Sequence, residues 1–285
     1  MPKRYSDLYV SVRKSLRDAG IEAAAIEARL MIAGAAGKSS AELLRDMQYY
    51  VSEEFEKEVN SMLKRRLAGE PVAYITGSWE FYGLPIDVDR SVLIPRMDTE
   101  VLAKAVIDEL MGKKMNARIL DLCCGSGCIG IAIADSLPQS RIVMADSSKE
   151  ALKMCRHNVE KNGFERIVSY LEADVMKPPP MMTGSFDVLV SNPPYIPNMD
   201  ILTLDSSVRD YEPIWALSGG DDGLDFYRAI LRDWVGIVRT GGSVMFEVGE
   251  GQADRVCDLM RMAALREVRT ILDTRGIERV VVAKA

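Results

Sequence analysis

Ile119-Leu120-Asp121-Leu122-Cys123-Cys124-Gly125-Ser126-Gly127-Cys128-Ile129-Gly130 is the stretch that decides the fold. A short apolar run enters a glycine-rich turn and leaves it with helical spacing, so it reads as strand, tight turn and helix start. Gly125, Gly127 and Gly130 fit G-x-G-x-x-G, in which glycine lets the backbone turn sharply and approach a ligand closely. Asp146 follows about 20 residues later at the end of the next expected strand, where a carboxylate can accept hydrogen bonds from both hydroxyls of a ribose. The pattern alone suits a nicotinamide or flavin dinucleotide or the adenosyl group of S-adenosylmethionine. Asp121 leans toward the last. Just before the glycines a carboxylate can face an ammonium group, but it would oppose a pyrophosphate.

Outward from this stretch the chain alternates. Strands are expected at Arg118–Leu122, Arg141–Ala145, Ile167–Leu171, Phe186–Val190, Ser243–Val248, Val268–Leu272 and Arg279–Val282. Amphipathic segments of helical length separate the early ones. This predicts an α/β domain with a seven-stranded, mostly parallel sheet covered on both faces, whose ligands bind beyond the carboxyl ends of the strands. Asp174 and Val175 follow the third strand. There a carboxylate can accept from an adenine amino group while the valine packs near the ring.

Ser191-Asn192-Pro193-Pro194-Tyr195 follows the fourth strand. Two prolines in succession fix φ and restrict the residues before them, giving a rigid turn that displays Asn192 and Tyr195. An amide or aromatic amine nitrogen is a poor nucleophile because its lone pair is delocalised. The Asn192 side-chain oxygen and the Pro193 carbonyl can each accept one N–H of such a group, turning its lone pair toward an incoming methyl. Tyr195 can lie flat on the planar group, with Pro194 completing the substrate-binding turn. In-line methyl transfer of this kind relies on positioning. His157, the single histidine, is expected in a helix away from this turn, so the proton is expected to leave to solvent.

Composition narrows the class. The chain has 285 residues, 48% of them hydrophobic and 27% charged, with a formal net charge of -6. That balance argues against broad attraction to nucleic-acid phosphates, and stable nucleic-acid binding is not expected. Apolar runs are too short for a membrane span, and the N-terminal run lacks the apolar core of a secretion signal, so a cytoplasmic protein is expected. Cys123, Cys124, Cys128, Cys155 and Cys257 are odd in number and fit no zinc spacing. They read as reduced thiols with no metal site.

Residues 1–70 read as a small helical bundle. Apolar faces are expected from Leu8, Val12 and Leu16, from Ile26, Leu30 and Met31, from Leu43, Leu44 and Met47, and from Phe55, Val59, Leu63 and Leu67. Residues 71–96 read as a hairpin connector built from Val72–Ile75, Glu80–Gly83 and Ile86–Val88. Residues 97–285 form the α/β domain.

Together these residues resemble the protein-(glutamine-N5) methyltransferases of peptide-chain release factors. The resemblance is carried by Glu70–Gly77, Glu80–Leu84, Leu93-Ile94-Pro95-Arg96-Met97-Asp98-Thr99-Glu100, Asp121–Gly127, Ser191–Tyr195, Phe246–Gly249 and Glu278–Val280. Met97 stands where the family signature usually has proline, and Cys123-Cys124 where it more often has Gly-Thr. The resemblance implies a Rossmann-like class I methyltransferase domain and S-adenosyl-L-methionine as donor, with S-adenosyl-L-homocysteine as product. It implies a release-factor glutamine in a Gly-Gly-Gln loop as acceptor, and an N-terminal domain that helps hold that protein. Cys123, Cys124, Gly125, Ser126 and Gly127 would offer backbone contacts to the donor, beside Asp121, Asp146, Asp174, Val175 and Asn192. The rivals are another planar-nitrogen substrate (DNA adenine, ribosomal RNA guanine, a ribosomal-protein glutamine), a nicotinamide oxidoreductase, and a silent binding protein. The Asn-Pro-Pro-Tyr turn speaks against the last two.

Overall fold

The structure, a computed structural model, describes residues 2–114 and 116–285. They fall into two compact units. One runs to Trp79 and includes Asp205–Tyr211; the other comprises Glu80–Leu204 and Glu212–Ala285.

The first unit contains α1 (Tyr5–Asp18), α2 (Ala24–Ala35), α3 (Ser40–Asp46), α4 (Glu53–Leu67) and α5 (Val72–Thr76). Leu8, Val12, Leu16, Ala28, Met31, Ile32, Leu43, Val59 and Met62 make its core. Ser39 starts α3 with a capping box, accepting from Glu42 N–H while Glu42 reaches back to Ser39 N–H. The stripe on α2 is Ala24, Ala28, Met31 and Ile32, so Ile26 is exposed, as are Leu44 and Leu67. Arg66 and Glu27 form a two-pronged ion pair between α4 and α2, at 2.6 and 3.1 Å. Val72–Ile75, expected as strand, is helix α5. Pro71 occupies its N-cap and Gly77, at φ +72°, ends it in the left-handed conformation. All four side chains from Val72 to Ile75 are buried, so the apolar run that suggests a strand is one buried helical turn.

The boundary between the units lies within β1 (Ser78–Phe81), which pairs with β2 (Leu84–Asp87) in a two-stranded sheet. The second unit then continues through α6 (Glu100–Leu110), β3 (Arg118–Leu122), α7 (Cys128–Ser136), β4 (Arg141–Asp146), α8 (Lys149–Asn162), β5 (Val168–Glu172) and β6 (Phe186–Ser191). After these come α9 (Asp225–Asp233), β7 (Val238–Glu247), α10 (Ala253–Met262), β8 (Arg266–Leu272) and β9 (Glu278–Lys284). The seven strands β3–β9 lie in the order β5-β4-β3-β6-β7-β9-β8, and β9 alone runs antiparallel to its neighbours. β7 begins earlier than Ser243, because its ladder with β6 continues past Gly241-Gly242 to Val238. A Cβ on Gly242 would stand 2.8 Å from the Asp187 carbonyl, so glycine is what lets β7 pass there.

Strand order reverses at β3. Its carboxyl end, beside that of β6, is where an open α/β sheet offers a crevice. Phe186, Tyr227, Trp234 and Phe246 fill the core on one face of the sheet. The buried Tyr227 hydroxyl donates to the Glu247 carbonyl at 2.7 Å and the Trp234 indole N–H to the Lys177 carbonyl at 2.9 Å, so neither polar group is stranded. Among the described residues no helix is long and apolar enough to cross a membrane.

Candidate active site

The glycine-rich loop is held by its neighbours. Cys124 N–H donates to the Ala145 carbonyl at 3.1 Å and Gly125 N–H to Asp146 Oδ2 at 3.0 Å. Asp146 Oδ1 accepts from Ser148 N–H at 2.9 Å, which also joins it to the start of α8. Gly127 at φ +83° begins α7, and a Cβ on Gly130 would meet the Met144 terminal methyl at 2.3 Å. The third glycine therefore serves close packing of α7 on β4. Cys123 holds φ +59°, a left-handed conformation that favours glycine. Asn158 of α8 ties this loop to the hairpin, donating to the carbonyls of Ser126 and Asp87 and accepting from Asp87 N–H.

A cleft opens beyond the ends of β3, β4, β5 and β6. Its wall includes Cys123, Cys124, Gly125, Ser126, Asp146, Asp174, Val175, Asn192 and Pro194. The structure thus brings together most of the residues that sequence singles out. Gly127, Pro193 and Tyr195 stand outside that wall. Asp121, expected to face an ammonium group, is fully buried behind the loop. Its Oδ2 accepts from Gly130 N–H at 3.1 Å while Oδ1 has no hydrogen-bond partner. Burial pushes its carboxyl up to about 8. Burial also raises Asp146, against the backbone donors that favour its charge. Asp174 accepts from Met176 N–H at 3.0 Å.

The Asn-Pro-Pro-Tyr turn is clamped from several sides. Ser191 Oγ donates to the Leu122 carbonyl at 2.7 Å, tying the ends of β6 and β3. Ile196 exchanges backbone bonds with Leu217 and Gly219, and Gln252 Nε2 donates to the Tyr195 carbonyl at 2.9 Å. A Cβ on Gly219 would lie 2.7 Å from Tyr195 Cα, and one on Gly223 2.3 Å from the Tyr195 carbonyl oxygen. Pro193 is buried. Tyr195, expected to lie on a substrate, is mostly enclosed and aims its hydroxyl at Glu247 Oε1, 3.5 Å away. Burial drives its phenol well above the usual range.

Several wall or support residues are not among the site residues that the sequence singles out, although Leu93–Glu100 carries part of the family resemblance. Ser91, Val92, Leu93, Pro95, Arg96 and Thr99 bring the Leu-Ile-Pro-Arg segment into the cleft. Glu212, buried, anchors that segment by accepting from Ile94 N–H at 3.3 Å and pairing with Arg96 at 2.5 Å. Trp215 and Phe226 complete the wall. His157 pairs with Asp87 at 2.7 Å, outside the cleft. All five cysteines are free, and only Cys123 is more than slightly exposed.

A doubly wound sheet, a glycine-rich loop answered by Asp146, and an Asn-Pro-Pro-Tyr turn across one cleft define a methyltransferase of the Rossmann-like class. Residues 96–204 match the family described as "Methyltransferase small domain" and residues 7–77 the "PrmC N-terminal domain". The chain is 34% identical to a release factor glutamine methyltransferase of Clostridium botulinum over 98% of each chain. It is 37% identical to one of Geobacter sulfurreducens over 94% of this chain and 92% of that one. The chain belongs to the release factor glutamine methyltransferase family. A methyltransferase structure from Pyrococcus furiosus, 15% identical, shares the fold alone, with a TM-score of 0.52 over 79% of this chain and 98% of that one.

Proposed function

We propose that this chain transfers a methyl group from S-adenosyl-L-methionine to the side-chain amide nitrogen (N5) of a release-factor glutamine, within a Gly-Gly-Gln loop, leaving S-adenosyl-L-homocysteine. The observation that carries this reading is Asn192, displayed on a rigid turn in the wall of the cleft that the glycine-rich loop, Asp146 and Asp174 also line.

The residues present suit such a donor. Asp146 and Asp174 give the cleft carboxylates for a ribose diol and an adenine amino group, and Val175 gives an apolar surface beside the ring. Cys123 to Gly127 offer backbone groups. The unpartnered Oδ1 of Asp121 is a buried acceptor that a cationic ligand nearby would stabilise. When bound, the sulfonium supplies an activated methyl and a neutral leaving group, so the protein's task is orientation.

Asn192 Oδ1 and the Pro193 carbonyl each accept one N–H of the glutamine amide. The nitrogen lone pair is thereby held toward the methyl. Pro194 and Tyr195 fix the turn that does this. His157, paired with Asp87, is outside the cleft, and the proton leaves to solvent after transfer. The N-terminal helical unit serves as a second surface for the protein substrate.

The test is mass spectrometry of a bacterial-type release factor incubated with the chain and S-adenosylmethionine. One added methyl on the Gly-Gly-Gln glutamine is expected, and none with Asn192→Ala. Equal methylation by the variant overturns the role of Asn192. An unmodified release factor, with donor binding confirmed, overturns the substrate.

A further inference from the structure

Gln252 is the N-cap residue of α10, just past the end of β7, and is 9% exposed. Its side chain makes no capping bond to the helix. It holds two other backbone groups instead. Oε1 accepts from Gly249 N–H at 3.0 Å and Nε2 donates to the Tyr195 carbonyl at 2.9 Å. A side-chain amide has nearly the same shape whichever way round it sits, so its partners decide the orientation. A backbone N–H only donates and a carbonyl only accepts, and these two partners leave one choice. Turned over, the amide would set donor against donor at Gly249 and acceptor against acceptor at Tyr195.

Glycines clear the space at both ends of this amide. A Cβ on Gly249 would stand 2.8 Å from Gln252 Oε1 and 3.1 Å from Tyr195 Cδ2. One on Gly223 would stand 2.6 Å from Gln252 Nε2 and 2.3 Å from the Tyr195 carbonyl oxygen. Gly223, at φ +77°, also has a backbone conformation that favours glycine. Three segments distant in sequence thus meet at one side chain: the turn after β6, the Gly219–Gly223 loop and the junction of β7 with α10.

The Tyr195 carbonyl is a point from which the whole turn can be held. Between it and Asn192 stand Pro193 and Pro194, whose rings fix two successive φ angles and restrict the residues before them. A displacement at Tyr195 therefore finds little torsional freedom on the way back and reaches the Pro193 carbonyl and Asn192. At the opposite end Ser191 Oγ donates to the Leu122 carbonyl at 2.7 Å. The turn is gripped at both ends, at its far end by a side chain 57 residues along the chain.

We propose that Gln252 is a positioning residue for methyl transfer. It clamps the Asn-Pro-Pro-Tyr turn through the Tyr195 carbonyl, so that Asn192 Oδ1 and the Pro193 carbonyl keep the spacing that one amide NH₂ needs. Gln252 itself is outside the cleft wall and acts only through the turn. Its consequence for turnover rests on the methyl-transfer reading, while the clamp is measurable without a substrate.

Two variants of the full chain separate the clamp from simple packing. Gln252→Met keeps length and bulk and loses both hydrogen bonds. Gln252→Glu, studied at pH 8, keeps an acceptor for Gly249 N–H and turns an oxygen, not a donor, to the Tyr195 carbonyl. The first readout is hydrogen exchange at the Ile196 amide, which donates to the Leu217 carbonyl at 2.9 Å beside the clamp. Exchange there is expected to rise on the order of tenfold or more in both variants, the cost of a carbonyl left without its donor, while the β6 amides keep parental rates. The second readout is turnover of a release factor. In both variants kcat is expected to fall on the order of 100-fold, the cost of a misplaced orienting group, with KM for S-adenosylmethionine unchanged. Parental exchange at Ile196 in either variant overturns the clamp, as does equal acceleration throughout β6, which marks a loss of packing. Parental kcat with raised exchange at Ile196 overturns the positioning role. An inactive parent with the expected exchange pattern overturns the substrate reading and leaves the clamp supported.

Discussion

Glu247→Gln should make the protein more stable at alkaline pH. Burial lifts the Glu247 carboxyl from the ordinary 4.5 to about 7, although Thr99, Arg279 and Tyr195 pull it down. Between those two values the folded chain keeps a proton that the unfolded chain has released. Stability therefore falls as pH rises through this window, and above 7 the whole cost is present. At about 1.4 kcal/mol per pH unit the gap is worth about 3 kcal/mol. Glutamine has nearly the same volume and no charge to bury, so the variant escapes this cost. Its gain should be about 3 kcal/mol near pH 8 and under about 1 kcal/mol near pH 5, by the same linkage. With two compact units, the measurement must belong to the second. Native-state hydrogen exchange of the β7 amides, Val238–Glu247, reads the opening free energy there. Equal differences at both pH values would show that this carboxyl does not titrate in the window. A loss of stability near pH 8 would show that Arg279 makes the buried charge net favourable, and either result would overturn the expected pH dependence.

Two further outcomes follow from the cleft. Gly223→Ala places a methyl 2.3 Å from the Tyr195 carbonyl oxygen at φ +77°, so the Asn-Pro-Pro-Tyr turn must shift; kcat should fall on the order of 100-fold while calorimetry finds donor binding unchanged. Asp146→Ala removes a carboxylate proposed to accept ribose hydroxyls and should weaken donor binding by roughly ten- to a hundredfold, at about 1.5–3 kcal/mol for charged hydrogen bonds, as titration calorimetry would show.

Much of the second unit was legible because buried parallel strands are written as short apolar runs between glycine and proline punctuation. Arg118–Leu122 and Val168–Glu172 lie within a residue of their expected limits. The misread segment, Val72–Ile75, has strand-like composition, and what makes it helix is Pro71 at its start, Gly77 at its end and burial of all four side chains. Periodicity in the first unit found α1 but placed Ile26 and Leu44 inward, because which face of a short helix is buried depends on its neighbours. At the site, the residues that lie next to a turn in sequence were visible: Gly125, Asp146, Asn192. Thr99 and Glu247 stand in the sequence only inside stretches that carry the family resemblance, with no role at the site read for them, and Glu212 and Gln252 are not singled out at all. Each acts by touching a residue far along the chain, as Thr99 does Asn192 and Glu212 does Ile94, and no local pattern encodes such a contact.

The placement of strain and buried charge shows how this site works. Glu247 and Asp121 are carboxyls that burial drives far above their ordinary range, and each keeps an oxygen with no partner. Cys123 holds a backbone conformation suited to glycine, and Gly219 and Gly223 sit where any side chain would strike the Asn-Pro-Pro-Tyr turn. Each is a local cost that packing elsewhere must offset. Those costs cluster around the two halves of the cleft, the loop after β3 and the turn after β6. A reaction driven by a strong general base would need an acid or base in reach of the nucleophile, with its pKa near working pH. Here the group raised to about 7, Glu247, lies against the Tyr195 hydroxyl and is not in the cleft wall. Its influence on a substrate must therefore pass through the groups it orients, which is the behaviour expected of an enzyme whose contribution is geometry and not proton transfer.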